Sequence, residues 1–376
     1  MKKSLGVYVH VPFCVRKCYY CDFCSFPDSD GERVREYVNE LCRRMEKKSA
    51  ECAEYTVDTV YFGGGTPTLL PIEGFERLMD TLKNSFDIAE NAEITAECNP
   101  ATADGEYLSR LRSLGVNRLS IGLQTVHQNE LQALGRIHSY EELVETYREA
   151  RAAGFENISI DLMYGIPMQT VESFRESLCT VAELAPEHIS AYGLKVEKGT
   201  QFYKMKDSLE LPDEDAELLM YHAMTEILSR YGYEKYEISN FSKKGFESRH
   251  NLRYWMGEEY LGFGVAAHSY FFGERFGNSR DIGAFLKGES IECERYAVSG
   301  SELQNEYIML SMRLARGIEL SEFKKRTGED FFEFYPKARE LIKMEYMKLE
   351  EGRIAFTDSG FLVSNSILSD MLEFDA

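Results

Sequence analysis

Four of the nine cysteines fall within eleven residues, at Cys14, Cys18, Cys21 and Cys24. The first three form a C-x3-C-x2-C run, Cys14-Val15-Arg16-Lys17-Cys18-Tyr19-Tyr20-Cys21. Thiolates are the usual ligands of iron–sulfur clusters. Three thiolates on a four-iron cluster leave one iron without a protein ligand, and an open position at a metal can take a small molecule. Zinc is the rival, but structural zinc asks for four ligands, commonly in two pairs. No second pair exists here, so His10 or Cys24 would have to complete a zinc site. The remaining cysteines (Cys42, Cys52, Cys98, Cys179, Cys293) are scattered and read as buried or inert thiols.

The rest of the composition bounds the partners. The chain has 376 residues, with 43 Lys+Arg against 63 Asp+Glu and a formal charge of −20. That balance argues against nucleic acid, which needs a basic footprint, and against anionic lipid. A hydrophobic fraction of 44% and a charged fraction of 28% are those of a globular chain. No apolar run approaches the ~18–20 residues of a membrane span. Met1-Lys2-Lys3-Ser4-Leu5 is not followed by the apolar core of a secretory signal. A cytoplasmic protein with reduced thiols is expected.

The elements that must hold the cysteines come next. Short apolar runs at Leu5–His10, Val57–Phe62, Glu93–Glu97, Arg118–Leu123, Ile158–Met163 and His188–Leu194 alternate with helical patterns. Those helices are expected at Glu32–Lys48, Glu73–Leu82, Glu106–Leu114, Tyr140–Ala153 and Val171–Leu184. Strand alternating with helix means a parallel sheet. The count is short of a closed (β/α)8 barrel, which leaves a partial barrel or an open doubly wound sheet. The unusual residues favour the barrel, because they collect at the C-terminal strand ends where barrels place their chemistry. The cysteines follow the first run and Gly63-Gly64-Gly65-Thr66-Pro67-Thr68 the second. Then come Glu97-Cys98-Asn99-Pro100, Gly122-Leu123-Gln124-Thr125, and Asp161 with Gly165-Ile166-Pro167. A helix is expected at Glu214–Tyr231, followed by an aromatic, glycine-rich stretch with His250-Asn251-Leu252-Arg253-Tyr254-Trp255. Helical patterns at Glu302–Ala315, Leu320–Thr327 and Phe331–Met347 and a short β-element at Arg353–Thr357 suit a small winged-helix-like end.

Tyr8-Val9-His10-Val11-Pro12-Phe13-Cys14-x3-Cys18-x-Tyr20-Cys21-Asp22-Phe23 resembles the opening of the radical S-adenosylmethionine (SAM) superfamily. The likeness runs on through Gly63–Thr68, Glu97–Pro100, Ser120–Gln124, Gly135-Arg136, His138, Asp161–Pro167 and the His250–Trp255 motif, nearly the whole chain. As a set it is similar to the branch that holds oxygen-independent coproporphyrinogen III oxidase (HemN) and its relative, the heme chaperone HemW. The resemblance implies a partial (β/α)6 TIM-like barrel over 1–230, a connecting segment over 231–297 and a mainly helical HemN-type domain over 298–376. It implies a [4Fe–4S] cluster on Cys14, Cys18 and Cys21 whose open iron chelates SAM. It also implies that SAM is contacted by Tyr8, Gly64, Gly65, Thr66, Glu97, Gln124, Arg136 and Asp161. Glycines let a backbone approach a ligand closely, and an Arg near a carboxylate makes electrostatic sense.

Departures from the oxidase separate the two members. The oxidase has a fourth cysteine two places after the third, where this chain has Phe23, and Cys24 is out of register. The oxidase has a longer extension before its first strand, whereas here the first strand is expected from about Leu5. His250-Asn251-x2-Tyr254-Trp255 resembles a chaperone motif, with His250 as a heme contact. The expectation is a heme chaperone on a radical SAM scaffold that delivers heme to respiratory proteins. The alternatives are oxidative decarboxylation of coproporphyrinogen III to protoporphyrinogen IX and anaerobic opening of the heme ring. Whether the protein is an enzyme at all is open on this reading. Implied partners are heme or porphyrin, SAM, an electron donor such as a flavodoxin or ferredoxin, and respiratory heme acceptors. A monomer or a cluster-dependent dimer fits, and no nucleic acid is expected.

Overall fold

The structure, a computed structural model, describes residues 2–27 and 31–372. Six parallel strands form its centre: β1 (Lys3–Val11), β2 (Tyr55–Gly64), β3 (Ile88–Cys98), β4 (Arg118–Gln124), β5 (Ile158–Tyr164) and β6 (His188–Gly193). They lie in chain order, each joined to the next by a helical crossover. The principal helices are α1 (Gly31–Ser49), α2 (Ile72–Ser85), α3 (Gly105–Leu114), α4 (Tyr140–Ala152) and α5 (Val171–Glu183), and α6 (Glu214–Arg230) follows β6. Ser139 at the start of α4 and Thr170 at the start of α5 each close a capping box. Such caps satisfy N–H groups that a helix leaves bare. The six strands and five crossover helices agree with the sequence pattern to within a few residues.

The strands are sided. Leu119, Ile121 and Leu123 of β4 are buried in the main core, as are Val60 and Phe62 of β2. The alternate positions are polar: Thr59 and Tyr61 on β2, Arg118 and Ser120 on β4, Ser159 and Asp161 on β5. A TIM barrel normally fills its interior with branched apolar residues. Here the apolar residues pack outward against the helices and the interior is left for polar groups.

The segment 231–297 does not stand apart from the barrel. Of its strands β7 (Glu234–Lys235) and β8 (Asn240–Ser242), β8 pairs antiparallel with β6 and β7 pairs antiparallel with β8. Strand β9 (Tyr260–Phe263) pairs parallel with β1, and β10 (His268–Phe271), β11 (Glu274–Asn278) and β12 (Glu292–Ala297) continue from it. The twelve-stranded sheet reads β12-β11-β10-β9-β1-β2-β3-β4-β5-β6-β8-β7 and stays open between β1 and β6. The partial barrel is thus widened at both edges by a segment expected only to connect.

The C-terminal part carries a three-stranded antiparallel sheet, Ile318–Glu319, Arg353–Phe356 and Met347–Glu350 in spatial order. Short helices pack on it through Phe323, Phe331 and Phe356. The helix expected over Phe331–Met347 is two, Phe331–Phe334 and Ala338–Lys343. Pro336 lies between them, and proline cannot supply the N–H that a continuing helix requires. Met347 instead begins a strand. Among the described residues no helix is long and apolar enough to cross a membrane.

Candidate functional site

A cavity of about 420 Å³ opens inside the barrel. The loop after β1 brings Cys14, Cys18 and Cys21 to its wall. Short ties hold that loop. Phe26 donates its backbone N–H to Pro12 at 2.7 Å and Tyr19 donates to Leu134 at 3.0 Å. His10 braces it from below. The Cys24 carbonyl can only accept, so His10 Nε2 donates to it at 2.8 Å, and the Tyr8 hydroxyl donates to Nδ1 at 2.9 Å. Burial keeps that imidazole neutral, with a pKa of about 4. From the far side, Phe202 donates its N–H to the Tyr19 carbonyl at 3.0 Å, and its ring belongs to a small apolar cluster with Leu134, Met163 and Ile166.

The glycines after β2 have an internal reason. Gly64 lies at φ +115°, and a Cβ there would sit 2.4 Å from the His10 ring. A Cβ on Gly65 would lie 2.5 Å from the Phe13 carbonyl, one residue before Cys14. Close approach is therefore needed first by the cysteine loop rather than by a ligand. Gly65 and Thr66 donate their N–H groups to Val11 and Phe13, each at 2.8 Å, and Thr66 Oγ1 reaches Cys14 Sγ at 3.8 Å.

Four polar side chains face the same cavity. Glu97 accepts from the Gly64 N–H and the Tyr61 hydroxyl, both at 3.0 Å. Burial raises its carboxyl to about 7, with Asp161 adding to the shift. Arg136 is buried and donates to Asn99 Oδ1 at 2.8 Å and to the Gly122 carbonyl, with Nη1 at 3.9 Å from Cys18 Sγ. Its partners are neutral groups and a thiol. Asp161 accepts from Ser120 and Ser159 at 3.1 and 3.2 Å, and burial raises its carboxyl. Gln124 ends β4 at φ +83°, an uncommon conformation for a residue other than glycine, and lines the cavity.

The sequence-expected residues thus divide. Cys14, Cys18, Cys21, Gly64, Gly65, Thr66, Glu97, Gln124, Arg136 and Asp161 border one cavity. Tyr8 is not among the lining residues, and its hydroxyl is hydrogen-bonded to His10. His250 is also absent from the wall. It is 1% exposed, stacked on Tyr61 at 5.3 Å. Its Nδ1 is 2.9 Å from Thr59 Oγ1 and its Nε2 2.8 Å from the Tyr254 hydroxyl. Both ring nitrogens are engaged, so none is presented to a heme iron in this arrangement. Burial, reinforced by Arg253 and Arg118, lowers its pKa to about 3. From the same motif it is Asn251 that reaches the cavity. Tyr61, Arg118, Ser190 and Tyr192 also line it and were missed. Their signal was available as the polar half of each strand's alternation.

The three thiols suit a polynuclear group. Among the described residues no three His, Cys, Asp or Glu side chains converge as one metal ion requires. Ligands of a cluster bind separate metal atoms and need no such convergence. Burial raises Cys14, and Cys21 to about 11, so without a metal these thiols hold their protons.

Comparison with known proteins agrees with this geometry. Residues 8–179 match the radical SAM superfamily and residues 298–363 the HemN C-terminal domain. The heme chaperone HemW of Bacillus subtilis is 36% identical, over 98% of this chain and 99% of its own. HemW of Escherichia coli is 33% identical, over 97% of each. The solved structure of coproporphyrinogen III oxidase (HemN) from Escherichia coli superposes with a TM-score of 0.86, at 24% identity, over 98% of this chain and 90% of that one. With three cysteines and a set of polar strand-end residues around one cavity, and with relatives of this identity matched end to end, the chain belongs to the radical SAM superfamily, in its HemW family.

Proposed function

We propose that the protein is a heme chaperone that binds a [4Fe–4S] cluster on Cys14, Cys18 and Cys21, SAM in the adjoining cavity, and heme, which it passes to respiratory proteins. The observation that carries this reading is the opening of the three thiols onto the same cavity as Glu97, Arg136 and Asp161, in a chain matched end to end by HemW proteins. One-electron chemistry toward SAM is what a cluster held there would supply. The protein's own contribution is positioning. Arg136, fixed by Asn99 and Gly122 beside Cys18, offers a cation to the carboxylate of SAM. Glu97 offers an anion to its positive end, and Asp161, held by two serines, accepts from ribose hydroxyls. Ligation requires thiolates, so the reading places the protein in a reducing compartment such as the cytoplasm.

The test is anaerobic. Reconstituted protein is given SAM, a reductant and coproporphyrinogen III, and in parallel is loaded with heme and offered to heme-free respiratory acceptors. Heme transfer without decarboxylated porphyrin is the expected result. Decarboxylated product appearing in step with 5′-deoxyadenosine would overturn the chaperone reading in favour of the oxidase.

A further inference from the structure

The first residue of β4, Arg118, is a buried cation whose charge is felt by Glu97 and Asp161 but which neither of them hydrogen-bonds. It is 1% exposed and lines the cavity from the first residue of its strand. Its Nε and Nη1 meet no hydrogen-bond acceptor. The carboxylates around it are committed elsewhere. Glu93 takes the backbone N–H groups of Arg249 and His250, each at 3.0 Å. Asp161 takes two serines, and Glu97 takes Gly64 and Tyr61. Glu93, Asp161 and Glu97 interact with Arg118 through space, without a hydrogen bond to it. A buried guanidinium with bare donors is costly, and buried charges are kept where something pairs with them.

We infer that Arg118 anchors a carboxylate subsite inside the barrel, separate from the cluster end of the cavity. The planar guanidinium fork matches a carboxylate. Tyr61, Ser190, Tyr192 and Asn251 add neutral polar groups to the same wall, beside the carboxyls of Glu97 and Asp161. A phosphate dianion would meet about twice the repulsion from Glu97 and Asp161 that a single negative charge meets, so a carboxylate is the better match for this one guanidinium. Arg118 lies six residues along β4 from Gln124, about 20 Å of strand. Arg136 already stands beside Cys18, at the end assigned to the carboxylate of SAM. The carboxylate left for Arg118 is that of the second ligand. With the chaperone reading, on which this step rests, it is a propionate of the porphyrin. Asn251 gives the His250–Trp255 motif a direct part in the same wall.

The experiment compares hemin, its dimethyl ester and SAM on the reconstituted full chain and on Arg118→Gln and Arg118→Lys, with thermal melts to confirm folding. Wild type should bind hemin about tenfold or more tightly than the ester. That preference should vanish in Arg118→Gln and return in part in Arg118→Lys, with SAM affinity unchanged. Loss of SAM affinity with hemin binding intact would keep the carboxylate subsite and reassign it to SAM. An ester preference equal in wild type and Arg118→Gln, with SAM unaffected, would overturn the inference. If the variants fail to fold, equal wild-type affinity for hemin and ester overturns it alone. If wild type binds no heme, the chaperone reading fails by itself, and the SAM comparison decides whether Arg118 holds a carboxylate.

Discussion

At Glu97 the surroundings turn an ordinary carboxylate into a group that titrates near neutrality. Burial raises it to about 7, so it is neutral below that pH and anionic above. Its folded value exceeds the ordinary 4.5, so the empty fold loses stability as pH rises between about 4.5 and about 7. The ligand feels the opposite slope, because the anion attracts the positive end of SAM. SAM affinity should rise from about pH 6 to about pH 8, and Glu97→Gln should abolish the rise and bind about tenfold more weakly at the upper end. Calorimetric titrations at both pH values check this, and a flat wild-type profile would refute it. The cysteines make a simpler case. Cys18→Ala should lose the iron and sulfide of the reconstituted protein while keeping its melting temperature before reconstitution, since Cys18 is half-buried and on a loop.

At the scale of elements, the cysteine loop is held from two directions. One is the glycine turn after β2, packed against Phe13 and His10. Gly65→Ala would press a methyl onto the Phe13 carbonyl and push the loop outward, at roughly 2 kcal/mol. Reduced iron retention together with a lowered melting temperature is the expected outcome. The other is the segment after β6, whose Phe202 closes a small apolar cluster separate from the main core. Phe202→Ala should speed iron loss to a chelator several-fold. It should cost less global stability than truncating an aromatic residue of the main core, such as Phe62 or Phe75, where about 3–5 kcal/mol is usual. Equal iron release from Phe202→Ala and wild type would separate that segment from the cluster's support.

For the molecule as a whole, the C-terminal part is tied to the barrel's widened edge. Lys235 of β7 is 7% exposed, meets Asp358 at 2.6 Å and lies over the rings of Tyr221 and Phe361. Glu237 forms an isolated β-bridge with Leu314 nearby. Asp358→Asn leaves the Lys235 charge buried against aromatic rings. Asp358 is 37% exposed, so water shares the load, and a loss of about 2 kcal/mol is expected, below that of a fully buried pair. Urea denaturation checks the magnitude. A separate early transition for the C-terminal part would show that this tie couples the two regions.

Much of this architecture is legible along the chain, because strand and helix alternation is a local pattern. A cysteine triplet needs only its spacing to be noticed, and strand ends are marked by glycine and polar residues. The six central strands, the crossover helices and the strand-end residues of the cavity are readable for that reason, whereas Arg136 is named only by the family resemblance. Three things depended on long-range contact. Strands β9 to β12 join β1 across more than 240 residues, a pairing that no local pattern encodes. Tyr8 and His250 have the chemistry of ligand contacts, but their polar atoms are consumed by His10, Thr59 and Tyr254, partners known only once the chain is folded. Arg118 looks in sequence like the polar start of a strand. Its meaning comes from enclosure, since a guanidinium demands a partner only where water is excluded, and tertiary packing alone decides where that is.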